Sequence, residues 1–148
     1  MFRPAAATAG AVCQSRRMSE SQVRITDVIV DCRDPERLAA FWSAVLGSRV
    51  KVRIGPYVFL DGGAGPGMGF QRSDTPGTGK NRVHLDLRAV DPRAEQRRIE
   101  ELGGRRLPEY AEGGFLVMAD PEGNVFCILP EQAFDVDDAG RADYLGGA

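Results

Sequence analysis

The chain has 148 residues, 43% hydrophobic and 27% charged, which is enough for one ordinary domain with a proper core. Nineteen basic and 21 acidic residues leave a net charge of −2 with no basic stripe, so composition gives no electrostatic case for nucleic acid. No apolar run is long enough to cross a bilayer, and Cys13, Cys32 and Cys127 lack any Cys-x-x-Cys spacing. A disulfide framework and a zinc knuckle are thereby disfavoured, and reduced thiols in a cytoplasmic protein are the simplest reading.

Residues 1–20 read as a disordered N-terminal tail. Ala5–Val12 is small and weakly apolar, Arg16-Arg17 follows it, and Met18 offers a second start, so translation from Met1 or Met18 stays open. A secretory signal would place its charges ahead of the apolar segment, and only Arg3 lies there. One domain is expected over 21–131, with a C-terminal tail over 132–148.

The first strand-like run, from Asp27, leads through Asp34-Pro35 into a helical pattern. Asp34 is an N-cap candidate and Pro35 falls at the first helical position, where no N–H is missed. Leu38, Phe41, Trp42, Val45 and Leu46 then mark one apolar face, and Gly47 suits a left-handed helix end. Strands are expected near 49–54, 57–60 and 68–72. The linker 75–82 contains Gly79-Lys80, but Asp74 stands where a phosphate loop would need its first glycine.

The same order then repeats. His84 opens a second strand, Asp91-Pro92 a second helix, and Leu102-Gly103 ends it. Ala94, Ile99 and Leu102 are that helix's apolar marks amid many charges, so it reads as largely exposed. Strands follow near 105–107, 115–119 and 125–129, with an Asp120–Asn124 turn of the expected Pro and Gly chemistry. Asp34 and Asp91 are 57 residues apart, and Leu46 and Leu102 are 56 apart. Two βαβββ units, about 23–73 and 80–130, imply an α+β fold with an eight-stranded curved mixed sheet and helices outside.

Strand alternation sorts the faces. Val83, Leu85 and Leu87 should pack on the helix, while Arg82, His84, Asp86 and Arg88 face the cup. In the first unit Val28 and Val30 pack inward, with Asp27 beside Ile25 and Ile29 on the cup side. His84 is the single histidine, a candidate ligand or general base.

The stretches IVDCRDPERLAAFWSAVLG, GKNRVHLDL and VMADPEGNVFCIL resemble the glyoxalase-like branch of the vicinal oxygen chelate superfamily, whose members include glyoxalases, ring-cleaving dioxygenases and bleomycin-binding resistance proteins. That resemblance implies the paired βαβββ fold, a small-molecule ligand in the cup and a homodimer. It implies metal-ligand positions on the first and last strands of each unit, here Asp27, Gln71, His84 and Cys127. Asp27 and Cys127 replace the usual histidine and glutamate, so glyoxalase I activity itself is not expected.

His84 and Asp27 are the catalytic candidates, and Asp27, Gln71 and His84 the metal set, for manganese, iron, nickel, magnesium or zinc. Gln71, Cys127, Tyr57, Phe59, Phe115, Met118 and Arg82 are the candidate ligand-binding residues. A metal-assisted lyase or isomerase acting on an oxygenated substrate and a metal-free, drug-sequestering binder both remain open. Cys127, between Phe126 and Ile128, also reads as a small buried hydrophobe.

Overall fold

A computed structural model describes residues 23–110 and 113–145. The expectation for residues 1–20 lies outside the described residues. The first unit comprises β1 (Asp27–Cys32), α1 (Pro35–Leu46), β2 (Val50–Ile54), β3 (Tyr57–Leu60) and β4 (Gly67–Arg72). The second comprises β5 (Leu85–Ala89), α2 (Pro92–Glu101), β6 (Arg105–Arg106), β7 (Leu116–Ala119) and β8 (Val125–Pro130), with a short 3-10 turn over Pro108–Tyr110. The eight strands divide into two four-stranded sheets, ordered β1-β4-β3-β2 and β5-β8-β7-β6. In each, the first and last strands of the unit run parallel and the remaining pairs are antiparallel.

Both helices start as their sequences dictate. Asp34 accepts from the Arg37 N–H and Asp91 from the Ala94 N–H, each one residue before the proline. Gly47 closes α1 at φ +63°, a conformation that costs glycine little. Leu38, Ala39, Phe41 and Trp42 are buried, but the expected apolar face ends there, because Leu46 is 43% exposed. Only Ile99 of α2 is buried, in keeping with its charged composition.

One apolar core spans both units, joining Leu38, Trp42, Met68 and Phe70 to Ile99, Leu116, Met118, Phe126 and Ile128. The Trp42 ring meets Phe126 edge-on at 5.0 Å between centroids, and its indole N–H donates to Asp120 at 3.0 Å. Asp120 is 1% exposed and also accepts from the Glu122 and Asn124 backbone and the Asn124 side chain. The turn built by Asp120 therefore serves as the socket for α1 of the other unit. Glu122, on the same turn, accepts from the Arg33 and Asp34 N–H groups at 2.7 Å each. Those donors precede α1 and have no partner within the helix.

The two units match less evenly than their landmarks imply. The helix starts are 57 apart, but β4 and β8 start at Gly67 and Val125, an offset of 58. Val28 pairs with Met68 and Leu85 with Phe126, so Gly69 corresponds to Cys127 and Gln71 to Leu129. The expected equivalence of Gln71 with Cys127 is thus out by two residues. The loop lengths between strands differ, and the hydrogen-bond ladder sets the register.

Candidate functional site

The concave face of the second sheet is built by period-two alternation. Leu85 and Leu87 on β5, and Phe126 and Ile128 on β8, turn toward the helices and the core. Asp86, Val125, Cys127 and Leu129 turn the other way, as does His84 just before β5. Asp86 pairs with Cys127 across the parallel ladder, and His84 lies two residues from Asp86 on the same face. Imidazole nitrogen, carboxylate oxygen and thiol sulfur of His84, Asp86 and Cys127 consequently lie within 4.8 Å of one another. His84 Nε2 is 3.3 Å from Asp86 Oδ1.

Asn81 holds the entry to β5. Its side chain accepts from the Val125 N–H at 2.6 Å and donates to the carbonyls of Val125, at 3.2 Å, and Val83. This clamp ties the backbone ahead of His84 to β8 before the regular ladder begins.

The cluster forms one side of a cavity of about 280 Å³, whose other walls are Phe115, Val117, Val125 and Leu129, with Lys80 and Gly113 at the rim. The volume sits near the lower end of small-molecule sites, about 300–1,000 Å³. Leu107 and Ala119 back the apolar wall. The Phe115 ring packs edge-on against Phe134 and Tyr144 from the C-terminal segment, and Tyr144 bonds through its hydroxyl to Leu116 and Ile128 backbone. Residues 132–145 therefore belong to the second unit's framework.

Burial pushes the Cys127 thiol up to about 11, and the neighbouring Asp86 carboxylate adds to the effect by its charge and by accepting the thiol's hydrogen bond. At neutral pH the thiol is protonated and a poor nucleophile. Cys32, the last residue of β1, is fully buried and its thiol is pushed up to about 12, burial being the first cause.

The other expected site residues scatter. Asp27 lies opposite Gly67, whereas Gln71 lies opposite Asp31, four residues further along β4. At the rise of an extended strand that is about 13 Å, too far for one ion. Asp27 and Gln71 therefore do not form the expected metal set with His84. Tyr57 and Phe59 stack on each other on the first sheet's concave face, with centroids 5.6 Å apart, and line neither this cavity nor the wider groove at the seam between β1 and β5.

Gln71 and Arg82 line a wider groove of about 1150 Å³ at the seam between β1 and β5, and His84 borders this groove as well. Met118 is fully buried in the helix-side core with Leu116, since it points away from Val117, and is corrected from ligand wall to core. Val83, expected against a helix, is 74% exposed because it precedes the paired part of β5.

Asp86, Val117, Val125 and Leu129 were not among the expected site residues. Alternation from His84, Phe115 and Cys127 points to all four. Lys80 enters the sequence reading only within a spacing that fails as a phosphate loop, and nothing in the sequence places it at this cavity.

The model of the glyoxalase-like domain family matches residues 27–129. Comparison with curated protein sequences gives no significant match. Among solved structures, a glyoxalase/bleomycin resistance protein/dioxygenase family enzyme from Burkholderia phytofirmans PsJN superposes with a TM-score of 0.56 at 19% identity, covering 72% of this chain and 98% of its own. A glyoxalase-related enzyme from Fulvimarina pelagi gives 0.57 at 16% identity, covering 80% and 96%. A glyoxalase/bleomycin resistance protein from Albidiferax ferrireducens T118 gives 0.55 at 25% identity, covering 73% and 98%. The architecture is shared at identities that leave the side chains of the site free to differ.

Proposed function

The chain belongs to the glyoxalase-like domain family, and from that premise we propose that it binds a small oxygenated organic molecule on the concave face of its second βαβββ unit. The observation that carries this reading is the cavity of about 280 Å³ whose apolar walls close on His84, Asp86 and Cys127. Phe115, Val117, Val125 and Leu129 would hold the carbon skeleton, and the polar side would orient its oxygens. Hydrophobic burial supplies affinity there, while hydrogen bonds fix the pose.

As an enzyme of the lyase or isomerase type, the protein would use His84 as proton acceptor or donor, held by the Asp86 carboxylate 3.3 Å away. In a metal-loaded state His84, Asp86 and Cys127 would instead hold a divalent ion, and the imidazole would then be a ligand rather than a proton carrier. Such an ion, when bound, supplies Lewis-acid polarisation of a substrate oxygen. Glyoxalase I activity is not expected, because Asp27 and Gln71 are not placed to complete a set with His84.

The second reading is a metal-free binder of the bleomycin-resistance type, favoured by the protonated Cys127 thiol and the dominance of apolar walls. A homodimer and a cytoplasmic location accompany either reading. Among the described residues no helix is long and apolar enough to cross a membrane.

Thermal-shift measurements with benzoate, salicylate and catechol test the site. Stabilisation should appear in the parent chain and vanish in Val117→Phe, which fills the cavity. Ligand-induced shifts of equal size in the two chains would refute the location. Methylglyoxal with glutathione should give no turnover.

A further inference from the structure

We propose that His84, Asp86 and Cys127 form a self-contained three-donor site for a thiophilic divalent ion of the zinc or cobalt kind, held by the second unit alone. This deepens the reading above and rests on its assignment of that face as the polar side of the cup.

Three observations carry it. Two of the donors, Asp86 and Cys127, come from adjacent paired strands, so their spacing is set by a ladder, and His84 immediately precedes the first paired residue of β5. Asp86 faces Cys127 directly in the register, His84 is two residues from Asp86, and Asn81 pins the chain leading into β5. The three donor atoms already lie within 4.8 Å of one another, close to the spacing of donors around one ion.

The donor chemistry selects the ion. One imidazole, one thiol and one carboxylate match the nitrogen and sulfur preference of zinc and cobalt. Magnesium and manganese favour sets of oxygen ligands, and this cluster offers a single carboxylate. Three protein donors leave a tetrahedral ion one open position, and all three residues line the cavity into which that position would point. On binding, the ion replaces the thiol proton, which leaves to solvent.

The first unit provides an internal comparison. Its corresponding positions are Asp27, Ile29 and Gly69, with a single donor among them. A Cβ on Gly69 would fall 2.6 Å from the Ile29 side chain and 2.8 Å from the Phe59 ring, so that place is closed by apolar packing. The ion site therefore has no twin in the first unit.

The test is a cobalt titration of the full chain after chelator treatment, followed by absorption. One equivalent should bind, with a thiolate-to-cobalt charge-transfer band in the near ultraviolet and the visible bands of a four-coordinate ion. One equivalent of zinc should remove both, and excess magnesium should not.

Cys127→Ser should abolish the charge-transfer band and weaken cobalt binding at least about tenfold, since even outer-shell losses cost about 10–100-fold. Cys13→Ser, Cys32→Ser and Asp27→Asn should leave the spectrum unchanged. Circular dichroism verifies that each variant is folded. Absence of the charge-transfer band at saturating cobalt, its survival in Cys127→Ser, its loss in Asp27→Asn, or competition by magnesium would each overturn the proposal.

Ligand shifts with benzoate or catechol are measured on the metal-free chain in parallel. Ligand binding without a cobalt signal defeats the ion site and leaves the cup intact. A cobalt signal without ligand binding supports the ion site and counts against the cup.

Discussion

Asp120→Ala probes the joint between the two units. Asp120 is 1% exposed and accepts four hydrogen bonds, from Trp42 Nε1 at 3.0 Å, the Glu122 N–H at 2.9 Å, the Asn124 N–H at 3.0 Å and Asn124 Nδ2 at 2.8 Å. Alanine leaves the buried indole donor unsatisfied, which costs about 1–3 kcal/mol, and removes three part-buried bonds worth roughly 0.5–1.5 kcal/mol each. Recovered solvation of the lost carboxylate offsets part of this, leaving a net loss of about 3–4 kcal/mol. For a chain of this length that lowers the melting temperature by roughly 10 °C.

Differential scanning calorimetry reads the shift, and a double-mutant cycle with Trp42→Phe isolates the bond between the units, with an expected coupling of about 1–2 kcal/mol. Because Glu122 sits on the same turn, its two bonds ahead of α1 should loosen too. Amide exchange at Arg33 and Asp34 should then accelerate. A loss below about 1 kcal/mol, or a cycle that is additive within error, would refute the view that this turn seats α1.

Other outcomes follow from single contacts. Gly114→Ala would place a Cβ 1.6 Å from the Ala142 carbonyl oxygen at φ +76°, so the C-terminal segment should detach and become cleavable by protease near residue 142. Tyr144→Phe should loosen the same segment by about 1 kcal/mol, read as a lowered urea midpoint, through loss of the hydroxyl's bonds to Leu116 and Ile128. Alkaline pH should destabilise the fold. Cys127 and Cys32 keep their protons to about 11 and about 12, whereas the unfolded chain releases them near 9.0. Stability from the two thiols is thus complete below about pH 9 and falls as pH rises toward the folded values. Urea midpoints at about pH 8 and about pH 10 measure the drop, and Cys127→Ser should shrink it. Alkylation of Cys127 in the folded chain at neutral pH should be slower than that of an ordinary thiol, and iodoacetamide kinetics followed by peptide mapping give the rate.

Much of the fold was legible in the chain itself, because its signals are local. An aspartate before a proline marks a helix start through hydrogen bonds three residues long, and both Asp34 and Asp91 make them. Alternation along β5 and β8 correctly separated Leu85 and Phe126 from His84 and Cys127, since a strand's period depends on its own backbone. The doubled unit and the family likeness follow from the same local patterns. What local pattern lacked was register between strands distant in sequence. Counting from matched dipeptides placed Gln71 opposite the role of Cys127, but the ladder moved it two residues and separated it from Asp27 by four. Met118, a candidate ligand-binding residue, lies one step away on the core face of β7. Cys127 joined His84 and Asp86, and Lys80 came to line the cavity, only when β5 and β8 were paired and the Asn81 clamp set where that pairing begins. Sequence thus determined which residues could face a cup. Tertiary pairing decided which of them meet, because a one-residue change of register exchanges one face of a strand for the other.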